Sequence, residues 1–134
     1  MLKRKKISIK GAVNKLDKLC RQILRLRDSD GFAFTCVSCG RRKPVEESNV
    51  SHYVSRQNLG LRHDLHNIHL ACTYCNNHLH GNLIEYRKEL LRRYGAQDVE
   101  RLENTPRGKA SVVDLEVMIQ EYKQILADLE RARG

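Results

Sequence analysis

Apolar residues recur at helical spacing between Gly11 and Asp28. Val13, Leu16, Leu19, Cys20, Ile23, Leu24 and Leu26 share one face, which predicts an amphipathic helix. A second stripe, Leu115, Met118, Ile119, Tyr122, Ile125, Leu126 and Leu129, predicts a closing helix that starts at Ser111 and Asp114 and runs to about Arg131. Between the two the pattern shortens. "FAFTC", "NVSHYVS" and "NIHLAC" have the β-branched and aromatic content of short strands, and the stretch from about Cys75 to Tyr94 predicts a helix closed by Gly95. "RQNLGLRHDLH" reads as a loop, and "QDVERLENTPRGKA" as a connection with turn signals at Pro106 and Gly108. The expected class is α+β, divided into a tail over 1–10, a helix over 11–30, a small core over 31–96 and a linker with the last helix over 97–134.

Charge sharpens this picture. The polar face of the first helix carries Lys15, Lys18, Arg21, Arg25 and Arg27, opposed only by Asp17, and the tail before it is basic. Such a face is equally a solvated surface or a row of phosphate contacts. The net charge of +9 over 134 residues calls for an anionic partner. Nucleic acid suits it better than a membrane, because no apolar run approaches the ~20 residues of a spanning helix. "MLKRKKISIKGAV" lacks the apolar stretch of a secretory signal, so a cytoplasmic location with reduced thiols is expected. Aromatic content is 5% with no Trp, so the core is thin and needs a staple.

The cysteines supply one. Cys36-x2-Cys39 and Cys72-x2-Cys75 have the spacing of two zinc knuckles, and four thiolates would fill every position on a structural Zn2+. Buried free thiols or an iron–sulfur cluster are the other readings, the latter with a different usual spacing. Cys20, alone on an apolar helix face, reads as a core residue.

Residues around the knuckles suggest a second, open site. Asn76 and His80 stand four apart at the start of the expected helix, so an amide and an imidazole would share one face and could hold a divalent cation. His52, in the preceding strand, would face them as a neutral base able to deprotonate water. Asn67 enters the next strand, where its side chain can bond backbone and hold the loop. Arg41, Arg42, Lys43, Arg56 and Arg62 flank this core as candidate phosphate contacts. His63, His66, His69 and His78 read as surface or core residues.

The order of "CVSCG", "NVSHY" and "HNIHLACTYCNNHLHGN" resembles the zinc-supported ββα-metal (HNH) nucleases, with His52 in the place of the general base and Asn67 in that of the middle Asn. Asn76 directly after Cys75 is similar to phage endonuclease VII, where that Asn is a metal ligand. "HGNLIEYRKELLRRYG", with the flanking helices, resembles more specifically the NinG (Rap) recombination proteins of lambdoid phages, from about Gly11 onward; a longer basic N-terminal region of that family has no counterpart here. The resemblance implies a phage-encoded endonuclease in a bacterial cytoplasm that hydrolyses branched recombination DNA, such as D-loops or Holliday junctions. It implies Zn2+ as scaffold and Mg2+ or Mn2+ at Asn76 and His80. The wider HNH pattern often has Asp or His before the base, where this chain has Ser51; a hydroxyl is a weak ligand. The rival readings are a non-catalytic zinc DNA-binding accessory and an RNA-binding zinc module. The stripes of the two long helices serve equally for a homodimer or for packing within the chain.

Overall fold

The computed structural model describes residues 7–134. The basic residues Lys3 to Lys6 of the expected tail lie outside the described residues. Its last two positions are already helical, because the Ser8 hydroxyl accepts from the Gly11 N–H at 3.0 Å and starts α1 at Ile9. α1 (Ile9–Asp28) buries Ala12, Val13, Leu16, Leu19, Cys20, Ile23 and Leu24. Much of that face meets α4 (Val112–Arg133), whose cap is Ser111 Oγ on the Asp114 N–H at 3.1 Å. At the far end Arg133 donates to the Leu26 carbonyl at 2.7 Å and to that of Ser29, satisfying the last turn of α1. The apolar stripes offered for a homodimer are therefore used within one chain. Val113 and Val117 remain exposed on α4.

Two small antiparallel sheets fill the centre. β1 (Ala33–Thr35) pairs with β2 (Arg42–Pro44) around the first cysteine knuckle, where Gly40 turns the chain at φ +74°. Sequence reasoning missed β2. A 3-10 turn (Val45–Glu47) leads to β3 (Ser48–His52), which pairs along its length with β4 (Ile68–Cys72), so that His52 lies opposite Ile68. The class is α+β.

The expected single helix from Cys75 to Tyr94 is two elements. A π-helical turn spans Tyr74–His78, closed by the Leu79 N–H on the Tyr74 carbonyl at 3.1 Å. His80, Gly81 and Asn82 then have φ of +50°, +96° and +48° before α2 (Leu83–Tyr94) begins. Three successive left-handed residues cannot continue a right-handed helix, so "HGN" is a corner. The expected linker also contains a helix, α3 (Ala96–Asn104), which buries Val99 and Leu102, one turn apart. No helix among the described residues is long and apolar enough to cross a membrane.

His69 joins β4 to α2 inside the core. Tyr86 gives its one hydroxyl proton to the Ser51 carbonyl at 2.9 Å, so it accepts from His69 Nδ1–H, also at 2.9 Å. Nε2 then accepts from Tyr94 at 2.8 Å, and burial, followed by the charges of Arg27 and Arg93, pushes the ring down to about 2, so it stays neutral. Arg27 is held indoors as well. It pairs with Asp28 and donates to the carbonyls of Leu65 and Ile68 at 2.6 and 2.8 Å, which anchors the 53–67 loop to α1 and removes Arg27 from the exposed basic face.

Candidate metal centre and active cleft

Cys36 directly follows β1, the knuckle carries Cys39, β4 ends at Cys72, and the π turn holds Cys75. Their four sulfurs lie within 4.8 Å of one another. A tetrahedron with Zn–S bonds of about 2.3 Å has edges of about 3.8 Å, and Cys39 and Cys72 are 3.8 Å apart. At Cys36 the surroundings suit a thiolate. Burial raises the Cys36 thiol, but the N–H groups of Cys39, Cys72 and Ser38 outweigh it and hold it below the ordinary range. Asn82 Nδ2 approaches Cys75 Sγ at 3.6 Å. The donor set fits a structural zinc ion, and it is the one group of three or more His, Cys, Asp or Glu among the described residues arranged to hold a metal.

On another side of the β3–β4 hairpin a cleft of about 250 Å³ is lined by Asp17 and Arg21 of α1, His52 of β3, Arg56, Arg62 and His63 of the loop, and Asn76 of the π turn. Cys20 borders it as a buried thiol, pushed up to about 12 by its burial. His52 Nε2 lies 3.0 Å from the Arg62 carbonyl. A carbonyl only accepts, so Nε2 carries the proton and Nδ1 keeps its lone pair. Burial, more than any neighbouring charge, lowers the ring to about 4, so it is neutral at pH 7.

Arg62 is pinned in turn. Its guanidinium grips Asp17 at 3.0 and 2.6 Å, and His63 Nε2 donates to the same carboxylate at 2.7 Å. Burial would raise the Asp17 carboxyl, but its bonds to His63 and Arg62 dominate and hold it far below the usual range. His63 is 2% exposed and its Nδ1 is buried without a hydrogen-bond partner. Asn67, fully buried, spans the loop: Oδ1 accepts from the Val54 N–H at 2.8 Å, and Nδ2 donates to the carbonyls of Val54 and Leu61 at 3.0 and 3.1 Å. Leu61 precedes the residue whose carbonyl orients His52.

The structure thus brings His52 and Asn76 to one cleft and sets Asn67 behind it. His80 is not among the residues that line the cleft; it is exposed and sits in the left-handed corner that follows the π turn. Strand alternation turns Ser51 away from His52, toward Gly81, where a methyl on the glycine would sit 4.0 Å from Ser51 Oγ. That hydroxyl is buried and unpartnered. Among the basic candidates Lys15, Lys18, Arg21, Arg25, Arg41 and Arg56 are exposed and Lys43 half-buried, whereas Arg42 pairs with Asp30 and Arg62 with Asp17. Sequence reasoning missed Asp17 and His63. The lone acid on an otherwise basic helix face was the available signal, but its partners lie more than forty residues away.

Residues 1–132 match the family described as Bacteriophage Lambda NinG protein. The chain belongs to the NinG family. Protein ninG of Escherichia phage 933W is 31% identical over 99% of this chain and 67% of its own length. Protein ninG of Escherichia phage lambda is 30% identical over 99% and 66%, and that of Salmonella phage P22 29% identical over the same shares. This NinG-family chain spans about two thirds of the length of these relatives. No solved structure matches it.

Proposed function

We propose that the chain is a metal-dependent DNA endonuclease of the zinc-supported ββα-metal (HNH) type, acting inside the bacterial host on branched recombination intermediates. The observation that carries this reading is the His52 cleft. A neutral imidazole, with its Nδ1 lone pair left available, lies among Arg21, Arg56 and Arg62 and shares the cleft with Asn76. In this reading Nδ1 takes a proton from water as its oxygen bonds to phosphorus and the bond to the departing strand opens. Asn67 and the Arg62 carbonyl hold the ring's orientation. Exposed Lys18, Arg21 and Arg25 follow one another at helical spacing along α1 and would track the sugar-phosphate backbone.

Mg2+ or Mn2+ fits here only with help from the substrate. The cleft offers the Asn76 amide oxygen, while its one carboxylate, Asp17, is committed to Arg62 and His63. Waters and a DNA phosphate would complete the shell, and the cation would neutralise charge on the phosphate. His80 has no part in this set. The same shortage of acidic ligands favours the second reading, a zinc DNA-binding accessory without catalysis.

The test is nicking of a four-way junction by the zinc-loaded chain with Mg2+ or Mn2+. His52→Ala should lower the rate about 10²–10⁴-fold with binding retained. Nicking at the wild-type rate by that variant overturns the catalytic assignment; junction binding without nicking by the wild type decides for the accessory. Structured RNA as competitor excludes the RNA reading if the junction is preferred at stated salt.

A further inference from the structure

A second cleft is lined by Cys39, Cys72 and Cys75 of the cysteine cluster, so its volume of about 420 Å³ includes the place of the metal, and by Arg41, Lys43, Glu47, Tyr74, Leu79 and Asn82 around it. Its apolar members are unusually open to solvent. Tyr74 is 59% exposed and Leu79 41%. The Tyr74 ring has its centroid 5.6 Å from that of His78, inclined by 31°, so one exposed aromatic group leans on another at the rim. Strand alternation places Arg41 and Lys43 on one side of the β2 segment, and Arg42 between them turns to Asp30 in a different cleft. Neither Arg41 nor Lys43 has an ion-pair partner among the described residues. Glu47 is the one acid in the lining.

We propose that the solvent-exposed edge of this cleft, outside the metal position, takes an unstacked nucleobase of a DNA strand, laid against Tyr74, with the adjoining phosphate between Arg41 and Lys43. An exposed aromatic face flanked by unpaired cations is the chemistry that single-stranded nucleic acid uses, since every base has a π-face and every nucleotide a charge. The proposal rests on the DNA-binding half of the reading above and not on catalysis. It also gives that reading a substrate class. Tyr74 and Asn76 belong to one π turn, the first lining this cleft and the second the His52 cleft. A strand with an unpaired nucleotide could fill both, whereas an intact duplex would first have to unstack a base.

The zinc-loaded chain is titrated into two oligonucleotides, a linear duplex and the same duplex with a short single-stranded gap that carries 2-aminopurine. Stacking on Tyr74 should quench the probe. Tyr74→Ala should weaken binding of the gapped DNA roughly tenfold and that of the duplex less than twofold, with Tyr74→Phe close to wild type. Zinc content and circular dichroism certify each variant. Independently, the Arg41→Ala/Lys43→Ala pair should weaken gapped-DNA binding and flatten its salt dependence. Equal losses on both DNAs from Tyr74→Ala, no loss on either, or a preference for a ribo-oligonucleotide of the same sequence would overturn the inference and leave His52 chemistry untouched. A wild type that binds neither DNA overturns this inference and the DNA reading together.

Discussion

The cysteine cluster and the His52 cleft flank the same β3–β4 hairpin but are built in opposite ways. The cluster takes its four sulfurs from two short motifs, each with two residues between its cysteines. The cleft draws on α1, β3, the 53–67 loop and the π turn, and its Asp17–His63 contact spans 46 positions. A site made of local motifs writes its geometry into spacing. A site made of tertiary contacts writes there only the kinds of residue it uses.

Removing the metal should have the largest effect. Structural zinc contributes an apparent ~10–16 kcal/mol in small domains, as much as the whole stability of a typical fold. Chelation or Cys72→Ser should therefore abolish the cooperative thermal transition. It should also disorder the cleft, since Asn76 directly follows Cys75. Helicity from α1 and α4 would fall less, because those helices bury apolar faces against each other. A zinc-free protein that melts within a few degrees of the holo form would break the distinction, because the cluster would then be no more structural than the cleft.

Legibility in the sequence follows the same division. The thiolate knuckles, the cap at Ser111 and the buried faces of α1 and α4 were readable, because each depends on residues a turn or two apart. Asn67 was readable as a loop clamp from its residue type and position. The corner at His80–Asn82 was not. Leu79 through Tyr94 carries enough helical pattern to hide three left-handed residues, of which only Gly81 announces itself. The helical spacing expected to set Asn76 and His80 on one face is broken there for that reason. α3 was hidden behind the turn signals of Pro106 and Gly108, which lie beyond its end. His63 had no local signature at all, because its contact is with a carboxylate of α1, 46 positions earlier in the chain.

A middle-sized effect distinguishes the cleft from ordinary surface. His52 titrates near 6.5 when unfolded and near 4 in the folded chain, because burial penalises the charged ring. The folded pKa is the lower one, so the unfolded state binds the extra proton between those values. Stability from the neutral ring is whole above about pH 6.5 and drains away as pH falls toward 4. Ring resonances followed by NMR, with zinc content checked at each step, should show a His52 midpoint near 4 and the Nε2–H tautomer above it. A midpoint near 6.5 would make the ring solvated, and the Arg62 carbonyl would lose its claim to orient a base.

The smallest effect separates the two faces of one strand. His52 and Ser51 are neighbours, yet one opens on the cleft and the other is 1% exposed, with a hydroxyl that has no partner. Under the proposed nuclease reading, the position of Ser51 is one where the wider pattern often has a metal ligand; here its side chain faces Gly81. A buried hydroxyl without a hydrogen bond costs stability, so Ser51→Ala should leave the melting point unchanged or raise stability by up to about 1 kcal/mol. Nicking should stay within twofold of wild type. A tenfold loss of nicking with zinc and melting point intact would mean that the strand rotates on binding DNA and brings Ser51 to the metal. The division between a buried scaffold face and an open chemical face would then belong to the free protein alone.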